Sequence, residues 1–155
     1  MSVCQGAGRI DLAMIGNTLG GFEIKAERDD LSRLRSQVAT FGLVFDRLTL
    51  VTVPRHLESA ADAVPTWWGL RCVESDGSIV IFRAPEQNLS VDPMAVAGLL
   101  WRDEALTLLR ARGRRGPRGT RRDFCRELVK VSSPDEIRSI VAQTLRERSS
   151  WRAAG

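Results

Sequence analysis

Tyrosine is absent from this 155-residue chain, histidine occurs once, and only two of its 23 basic residues are lysines. A single imidazole, on His56, disfavours most histidine-based catalytic triads and all multi-histidine metal sites. If the chain performs chemistry, carboxylates and lysine must therefore carry it.

Cysteine and long apolar runs are also scarce. Cys4, Cys72 and Cys125 are odd in number and include no CxxC pair, which argues against a disulfide framework or a zinc site. The longest apolar stretch, at residues 91–101, is too short to span a bilayer, and no secretory signal opens the chain. These absences predict a cytoplasmic protein with no membrane partner.

Positive charge is concentrated in the last third of the chain. Residues 1–109 carry ten basic and fourteen acidic side chains, whereas residues 110–155 carry thirteen and five. Seven arginines lie within thirteen positions, interleaved with glycine and proline: Arg110, Arg112, Arg114, Arg115, Arg118, Arg121 and Arg122. Guanidinium groups suit phosphate oxygens, so a flexible loop that contacts DNA is one interpretation and a solvated linker is the other.

Periodicity in the first half of the chain predicts a small mixed sheet. Alternating residues at 9–15 and 22–27 flank a glycine-rich turn and predict a β-hairpin. Asp29 or Asp30 is expected to cap a helix of about four turns, because apolar residues then recur at spacings of three and four. The β-rich run at 47–53 follows the helix. A helix that connects two strands of one sheet acts as a crossover, so this run is predicted to be a strand parallel to the second hairpin strand.

The second half adds a hairpin and a helical tail. Residues 56–64 are expected to form a short helix, and 69–74 with 78–83 a second hairpin. Asp92 starts a helix expected to reach about residue 112, Thr120 caps another through 131, and a capping box at Ser133 and Glu136 begins the last. We therefore expect an α/β core at 1–90 and a basic helical extension at 91–155 packed on it.

The first hairpin carries the residues that point to chemistry. Asp11, Glu23 and Lys25 share one face of the sheet if Asp11 lies opposite Glu23 or Lys25. The two carboxylates and the Ile24 carbonyl supply hard oxygen ligands for Mg²⁺ or Mn²⁺, which can activate water for attack on a phosphodiester. Lys25 would orient that water or stabilise the transition state. The alternative is that Glu23 and Lys25 form an exposed ion pair.

The helix after the hairpin adds a polar stripe. Asp30, Arg33 and Gln37 recur at helical spacing beside the apolar stripe. Gln37 is expected to point toward the end of the sheet that holds Glu23 and Lys25.

Asp11, the Glu23-Ile24-Lys25 triplet and the run from Gln37 to Phe41 resemble the signature of the PD-(D/E)XK nuclease superfamily, in its branch with a Q-x-x-x-Y element. More narrowly, residues 21–37 and 45–51 are similar to a bacterial and phage family of uncharacterised nuclease-like proteins. The likeness continues through 56–57, 65–69 and 99–104, and so covers most of the chain.

The resemblance implies a restriction-endonuclease-like fold, a mixed β-sheet core flanked by helices, with Mg²⁺-dependent endo- or exonucleolytic cleavage of DNA. Asp11 and Glu23 would hold the metal, Lys25 would be the catalytic lysine, and Gln37 would be an active-site or DNA-positioning residue. The chain departs from the pattern in two places. Phe41 stands where the motif has tyrosine, and only residues 1–8 precede the first strand, so the first helix and strand of the usual core are expected to be missing.

A sheet without its first strand exposes an edge, which we expect the C-terminal helices or a second copy in a homodimer to cover. Arg33 and the seven clustered arginines are the predicted DNA contacts. The alternative function is a catalytically inactive DNA- or protein-binding module on the same fold, acting in phage–host conflict.

Overall fold

The computed structural model describes residues 1–114 and 118–148, which form a mixed α/β fold. Its seven strands are β1 (Ser2–Val3), β2 (Gly8–Arg9), β3 (Leu12–Ile15), β4 (Leu19–Ile24), β5 (Arg47–Thr52), β6 (Gly69–Val73) and β7 (Ile79–Arg83). Its six helices are α1 (Leu34–Gly42), α2 (Leu57–Ala63), α3 (Pro93–Ala97), α4 (Arg102–Ala111), α5 (Arg121–Lys130) and α6 (Pro134–Glu147). No helix in these two ranges is long and apolar enough to cross a membrane.

Strands β3 to β7 form one sheet in chain order. Both predicted hairpins are present, because β3 pairs antiparallel with β4 and β6 pairs antiparallel with β7. The crossover through α1 lays β5 parallel to β4, and β6 lies parallel to β5. The short strands β1 and β2 form a separate antiparallel ribbon, which the periodicity does not predict.

Helix α1 is shorter than the apolar spacing predicts, and neither expected aspartate caps it. It begins after Arg33, whose side chain forms no capping hydrogen bond. Asp29 instead accepts a hydrogen bond from the Ala26 N–H at 2.7 Å, and Asp30 accepts one from the Ser32 N–H at 2.7 Å. Both carboxylates therefore stabilise the turn between β4 and α1, and the helix starts about one turn later than predicted.

The helix expected from Asp92 to about residue 112 is in fact two helices. Asp92 does cap the first, α3, by accepting from the Met94 N–H at 2.9 Å. The chain then leaves the helical conformation at Trp101, whose extended backbone caps α4. The Glu104 carboxylate accepts from the Trp101 N–H at 2.6 Å and satisfies one of the free amide groups at the new helix start.

The last two helices begin where the sequence predicts. Thr120 precedes α5, and its N–H donates to the Asp123 carboxylate at 2.9 Å. Ser133 and Glu136 form a reciprocal capping box at the start of α6.

The helices pack on one side of the sheet around a single hydrophobic core. From residues 1–90 that core takes Leu48, Leu50 and Phe45, and from the helical tail it takes residues such as Leu128 and Val141. The buried residues of β4 alternate with less buried ones, and Leu48 and Leu50 of β5 lie on the same side as the buried set, which places the core on one sheet face.

A buried carboxylate also links the two parts of the chain. Asp46 accepts from the Leu19 N–H at 2.7 Å, and its other oxygen lies 3.4 Å from the Arg138 guanidinium on α6. The side chain of Asp46 is almost fully buried, with 1% of its surface exposed.

The other face of the sheet is exposed over most of its area, except around the buried Thr49, and we call it the open face. Its exposed apolar side chains include Ile81 at 60% exposure and Met14 at 56%. According to the strand register, the side chains on the open face include those of Leu12, Met14, Phe22, Ile24, Arg47, Val51, Arg71, Ile79 and Ile81.

The two sheet edges differ. Helix α6 lies against edge strand β3, where the Arg146 guanidinium donates to the Gly16 carbonyl in the turn beyond it. At the other edge, four consecutive apolar residues of β7, from Ile79 to Phe82, are each more than 40% exposed. The exposed edge is thus β7 rather than the edge beside the N-terminal residues.

Candidate active site

The end of β4 and the start of α1 bring three predicted site residues into contact. Glu23 and Lys25 lie on the core side of β4 because side chains two residues apart share a face. The Lys25 ammonium and one oxygen of Glu23, Oε1, are 2.8 Å apart, and the Gln37 side-chain amide donates to that same oxygen. The three side chains form one connected polar group.

This polar group is buried rather than exposed. Only 2% of Glu23 and 5% of Lys25 is accessible to solvent, so the interpretation of an exposed ion pair is wrong. The residues sit where the sheet meets the turn before α1, and the N–H of Lys25 continues the pairing with β5 by donating to the Val51 carbonyl at 2.8 Å. The backbone of Lys25 is therefore fixed as firmly as a strand residue.

Asp11 lies at the same site, but its side chain is exposed to solvent. It directly precedes β3, and extending the register of Leu12 with Phe22 would place it opposite Glu23. Its carboxylate oxygen Oδ2 accepts a hydrogen bond from the Ile24 N–H at 2.9 Å, which ties it to the end of β4. One oxygen of Asp11 is thereby used, and the other faces no hydrogen-bond donor among the described residues.

These side chains line a common cavity of about 480 Å³. All four predicted catalytic residues line it, with the Ile24 backbone position and Arg33, one of the predicted DNA contacts. Four further lining residues were not predicted as site residues: Arg9, Asp29, Asp30 and Ser32. Arg9 could have been found from its position two residues before Asp11, whereas Asp29 was assigned to a helix cap.

The environment of Glu23 works against its ionised form. Burial raises the pKa of Glu23, and the nearby Asp11 charge adds to this, while the hydrogen bonds from Lys25 and Gln37 act in the opposite direction. The result is a pKa above the ordinary value for this carboxyl. A cation bound beside Glu23 would favour its ionised form and offset the cost of burying the charge.

The donor set fits a hard cation. Glu23 Oε2 and the Gln37 carbonyl oxygen are buried and have no hydrogen-bond partner, so two oxygen acceptors are left unsatisfied at the cavity. Mg²⁺ binds carboxylate and carbonyl oxygens and keeps several waters, so it needs few protein ligands. Among residues 1–114 and 118–148, no group of three or more histidine, cysteine or acidic side chains is placed to hold a metal. A metal here would rest on two carboxylates, those of Asp11 and Glu23.

A family model for bacteriophage P4 protein cII matches residues 1–153. The chain belongs to the bacteriophage P4 protein cII family. Protein cII of Enterobacteria phage P4 is 27% identical to it over 151 residues, which make up 96% of this chain and 57% of that protein. This cII-family chain therefore spans little more than half the length of that relative. No solved structure matches it.

Within the described part of this cII-family chain, none of the clustered arginines lines the cavity at Glu23. Arg112 donates to the Leu108 carbonyl at 3.1 Å and so bonds to the end of its own helix. Arg121 and Arg122 line a separate cavity of about 230 Å³ beside α3 and α5. Arg110, Arg114 and Arg118 are exposed, and Arg115 lies outside the described residues.

Proposed function

We propose that this protein is a Mg²⁺-dependent nuclease-like enzyme with a restriction-endonuclease-like core, which cleaves DNA phosphodiesters at the Asp11–Glu23–Lys25 site. The observation that carries the proposal is the buried contact of Glu23 with Lys25 and Gln37 beside Asp11 at one cavity. Burying an ion pair is costly, and a fold that needed only stability would be served as well by apolar residues. A catalytic role would explain why the chain has a buried ion pair at this position.

Each side chain has a role in that reaction. A metal bound by Asp11 and Glu23 would supply an activated water and offset the charge that develops on the phosphate. Lys25 Nζ lies 2.8 Å from Glu23 Oε1 and can donate a hydrogen bond to a phosphate oxygen at the same cavity. Gln37 fixes the orientation of the Glu23 carboxylate through its amide. Arg33, at the same cavity, is placed to bind the DNA backbone.

The second candidate is a catalytically inactive module on the same fold that binds DNA or protein in phage–host conflict. Two contacts favour it. The ammonium of Lys25 is paired with Glu23, and Asp11 is bonded to the Ile24 N–H, so both groups already have partners within the chain. In this case the exposed arginines would supply most of the DNA affinity.

We also propose that two copies associate through the exposed edge of β7 in the reducing cytoplasm. An edge strand with free backbone groups and adjacent exposed apolar side chains is a template for pairing with another strand. Ile79 and Ile81 would be covered in such a pair.

Plasmid nicking separates the two functions. The wild-type protein should nick supercoiled DNA in Mg²⁺ or Mn²⁺, and Lys25→Met should lower the rate by about 10²-fold or more. Lys130→Met is the matched control, because Lys130 is the other lysine of the chain and lies exposed on α5. Circular dichroism would check that each variant is folded. Nicking by Lys25→Met at the wild-type rate, or DNA binding without nicking by the wild type, would reject the nuclease in favour of the binding module.

A further inference from the structure

The open face contains a second cavity, on the other side of the sheet from Glu23. It has a volume of about 280 Å³ and crosses β3, β4, β5 and β6. Its walls include Met14, Phe22, Arg47 and Arg71, and the β4 backbone at Gly20 forms part of its floor. That volume is near the lower end for small-ligand pockets, which are mostly apolar with a few polar groups.

Both arginines of this cavity lack an acidic partner. Neither Arg47 nor Arg71 forms an ion pair within the described residues. Among the residues that the structure describes, Arg47 donates only to the Pro85 carbonyl, at 2.7 Å. The Arg71 guanidinium lies 5.5 Å from the centre of the Phe22 ring, and its Nε is buried without a hydrogen-bond partner.

The surroundings do not compensate this positive charge. The strand residues on the open face include no aspartate or glutamate, although residues 1–109 as a whole are rich in both. Two uncompensated guanidiniums at an apolar cavity favour a ligand that is both anionic and apolar. An aromatic ring next to an arginine plane further favours a flat ring as the apolar part.

We propose that this cavity binds a nucleotide unit, with its base against Phe22 and Met14 and its phosphate between Arg47 and Arg71. The unit is either a free nucleotide or one nucleotide of a single strand, since both present the same base and phosphate. Stacking on an aromatic side chain tolerates any base, and guanidinium groups supply the phosphate contact. This site lies on the opposite sheet face from the candidate active site and does not depend on its activity.

Gly20 offers a direct test, because it can be filled without disturbing the core. A side chain added at Gly20 would meet Met14 at 3.5 Å, an ordinary contact, and would extend into the cavity. The adjacent Gly21 is different, since a Cβ there would lie 2.7 Å from a methyl group of Leu48 in the core. Gly20→Val should therefore fold normally, as β-branched residues suit strands, while blocking the base.

The experiment measures binding of deoxythymidine monophosphate, adenosine monophosphate, inorganic phosphate and a short oligothymidylate to the full chain by calorimetry and by NMR. Gly20→Val and Arg71→Gln should each weaken nucleotide binding by about tenfold or more. Arg35→Gln, an exposed arginine on α1, is the control for net charge. Thermal denaturation would confirm that all variants are folded.

Binding of the monophosphates that is lost in Gly20→Val and retained in Arg35→Gln supports a free-nucleotide site. Binding of the oligothymidylate alone, with the same pattern, supports the single strand as the source. Three results would overturn the proposal: no binding of any nucleotide, equal binding of inorganic phosphate, or equal binding by Gly20→Val and the wild type. Gly20-dependent binding of an acidic, apolar peptide in place of nucleotides would overturn it as well.

Discussion

The buried pair of Lys25 and Glu23 should be a large, measurable determinant of stability. Lys25→Met removes the ammonium and leaves a carboxylate that is 2% exposed, with Gln37 as its remaining side-chain donor. Removing one partner of a buried ion pair costs about 3–5 kcal/mol, and the adjacent cavity lets water reach the site, so we expect the lower end, about 3 kcal/mol. For a chain of this size that corresponds to a fall in Tm of about 6–12 °C.

A double-mutant cycle isolates the interaction from the loss of each side chain. Glu23→Gln combined with Lys25→Met leaves no charge in the site and keeps an amide beside Gln37. We expect the double variant to lie within about 1 kcal/mol of the wild type, so the coupling free energy is at least about 2 kcal/mol and larger by whatever Glu23→Gln costs alone. Urea unfolding at neutral pH, followed by circular dichroism, measures all four proteins.

An exposed lysine pair provides the comparison. Lys130 and Glu127 on α5 are 2.7 Å apart, nearly the same separation as Lys25 and Glu23, but their side chains are 61% and 40% exposed. Lys130→Met should cost less than about 0.5 kcal/mol, because solvent screens an exposed pair. The reasoning fails if Lys25→Met costs no more than Lys130→Met, or if the coupling free energy of the buried pair is below about 0.5 kcal/mol.

The ion pair of Glu104 with Arg148, 2.6 Å apart just beyond the end of α6, should make stability pH-dependent. Burial opposes ionisation of Glu104, but hydrogen bonds from Arg148 and the Trp101 N–H outweigh it and hold the pKa of Glu104 below its ordinary 4.5. Glu104→Gln should therefore lower the free energy of unfolding by about 1–3 kcal/mol above pH 5, and the deficit should vanish as the pH falls below the lowered pKa; a pH-independent deficit in urea melts would contradict this. Ile81→Lys should abolish dimers in light scattering without changing Tm, and a wild type that is monomeric at high concentration would reject the β7 interface. In duplex-DNA binding, the slope of log K against log salt should flatten by roughly 2–4 units when serine replaces Arg114, Arg115, Arg118 and Arg121. An unchanged slope would show that these arginines do not contact phosphate.

The five strands of the main sheet were predictable from sequence because most of their signals are local. Alternation at β3 and β4, and the turn sequence between β6 and β7, depend only on neighbouring residues. The parallel pairing of β4 with β5 followed from a general rule for crossover connections and is confirmed.

The helix boundaries were less predictable because aspartate and glutamate have competing local partners. Asp29 and Asp30 can cap a helix or close a turn, and in this chain they close the turn. Similarly, Glu104 accepts from the Trp101 N–H and starts a new helix inside an apolar pattern that looks continuous. The sequence does not show which of two such hydrogen bonds forms.

Part of the candidate site was predictable from sequence, but four of its lining residues and the burial of its polar side chains were not. Strand parity and helical spacing indicated that Glu23, Lys25 and Gln37 would meet, and all three line one cavity. Their burial depends on how α1 packs beside the end of β4, where Gln37 contacts Glu23, and the sequence pattern does not show how closely the two elements pack. The uncovered open face could not be predicted either, because apolar residues at Leu12, Met14 and Ile81 look the same in sequence whether or not a helix covers them.

Asp46 has a consequence for how the chain can be divided. Its carboxylate holds the turn of the first hairpin through Leu19 and faces Arg138 of the last helix, so the interior of the core has a polar group whose positive partner is supplied by a distant segment. A fragment ending near residue 90 would keep the buried carboxylate and lose its guanidinium, at the same time as it exposed the apolar surface that α6 covers. The sheet and the helical tail should consequently melt in one cooperative transition and share their native-state hydrogen-exchange protection, and neither should persist as a folded piece after limited proteolysis between them.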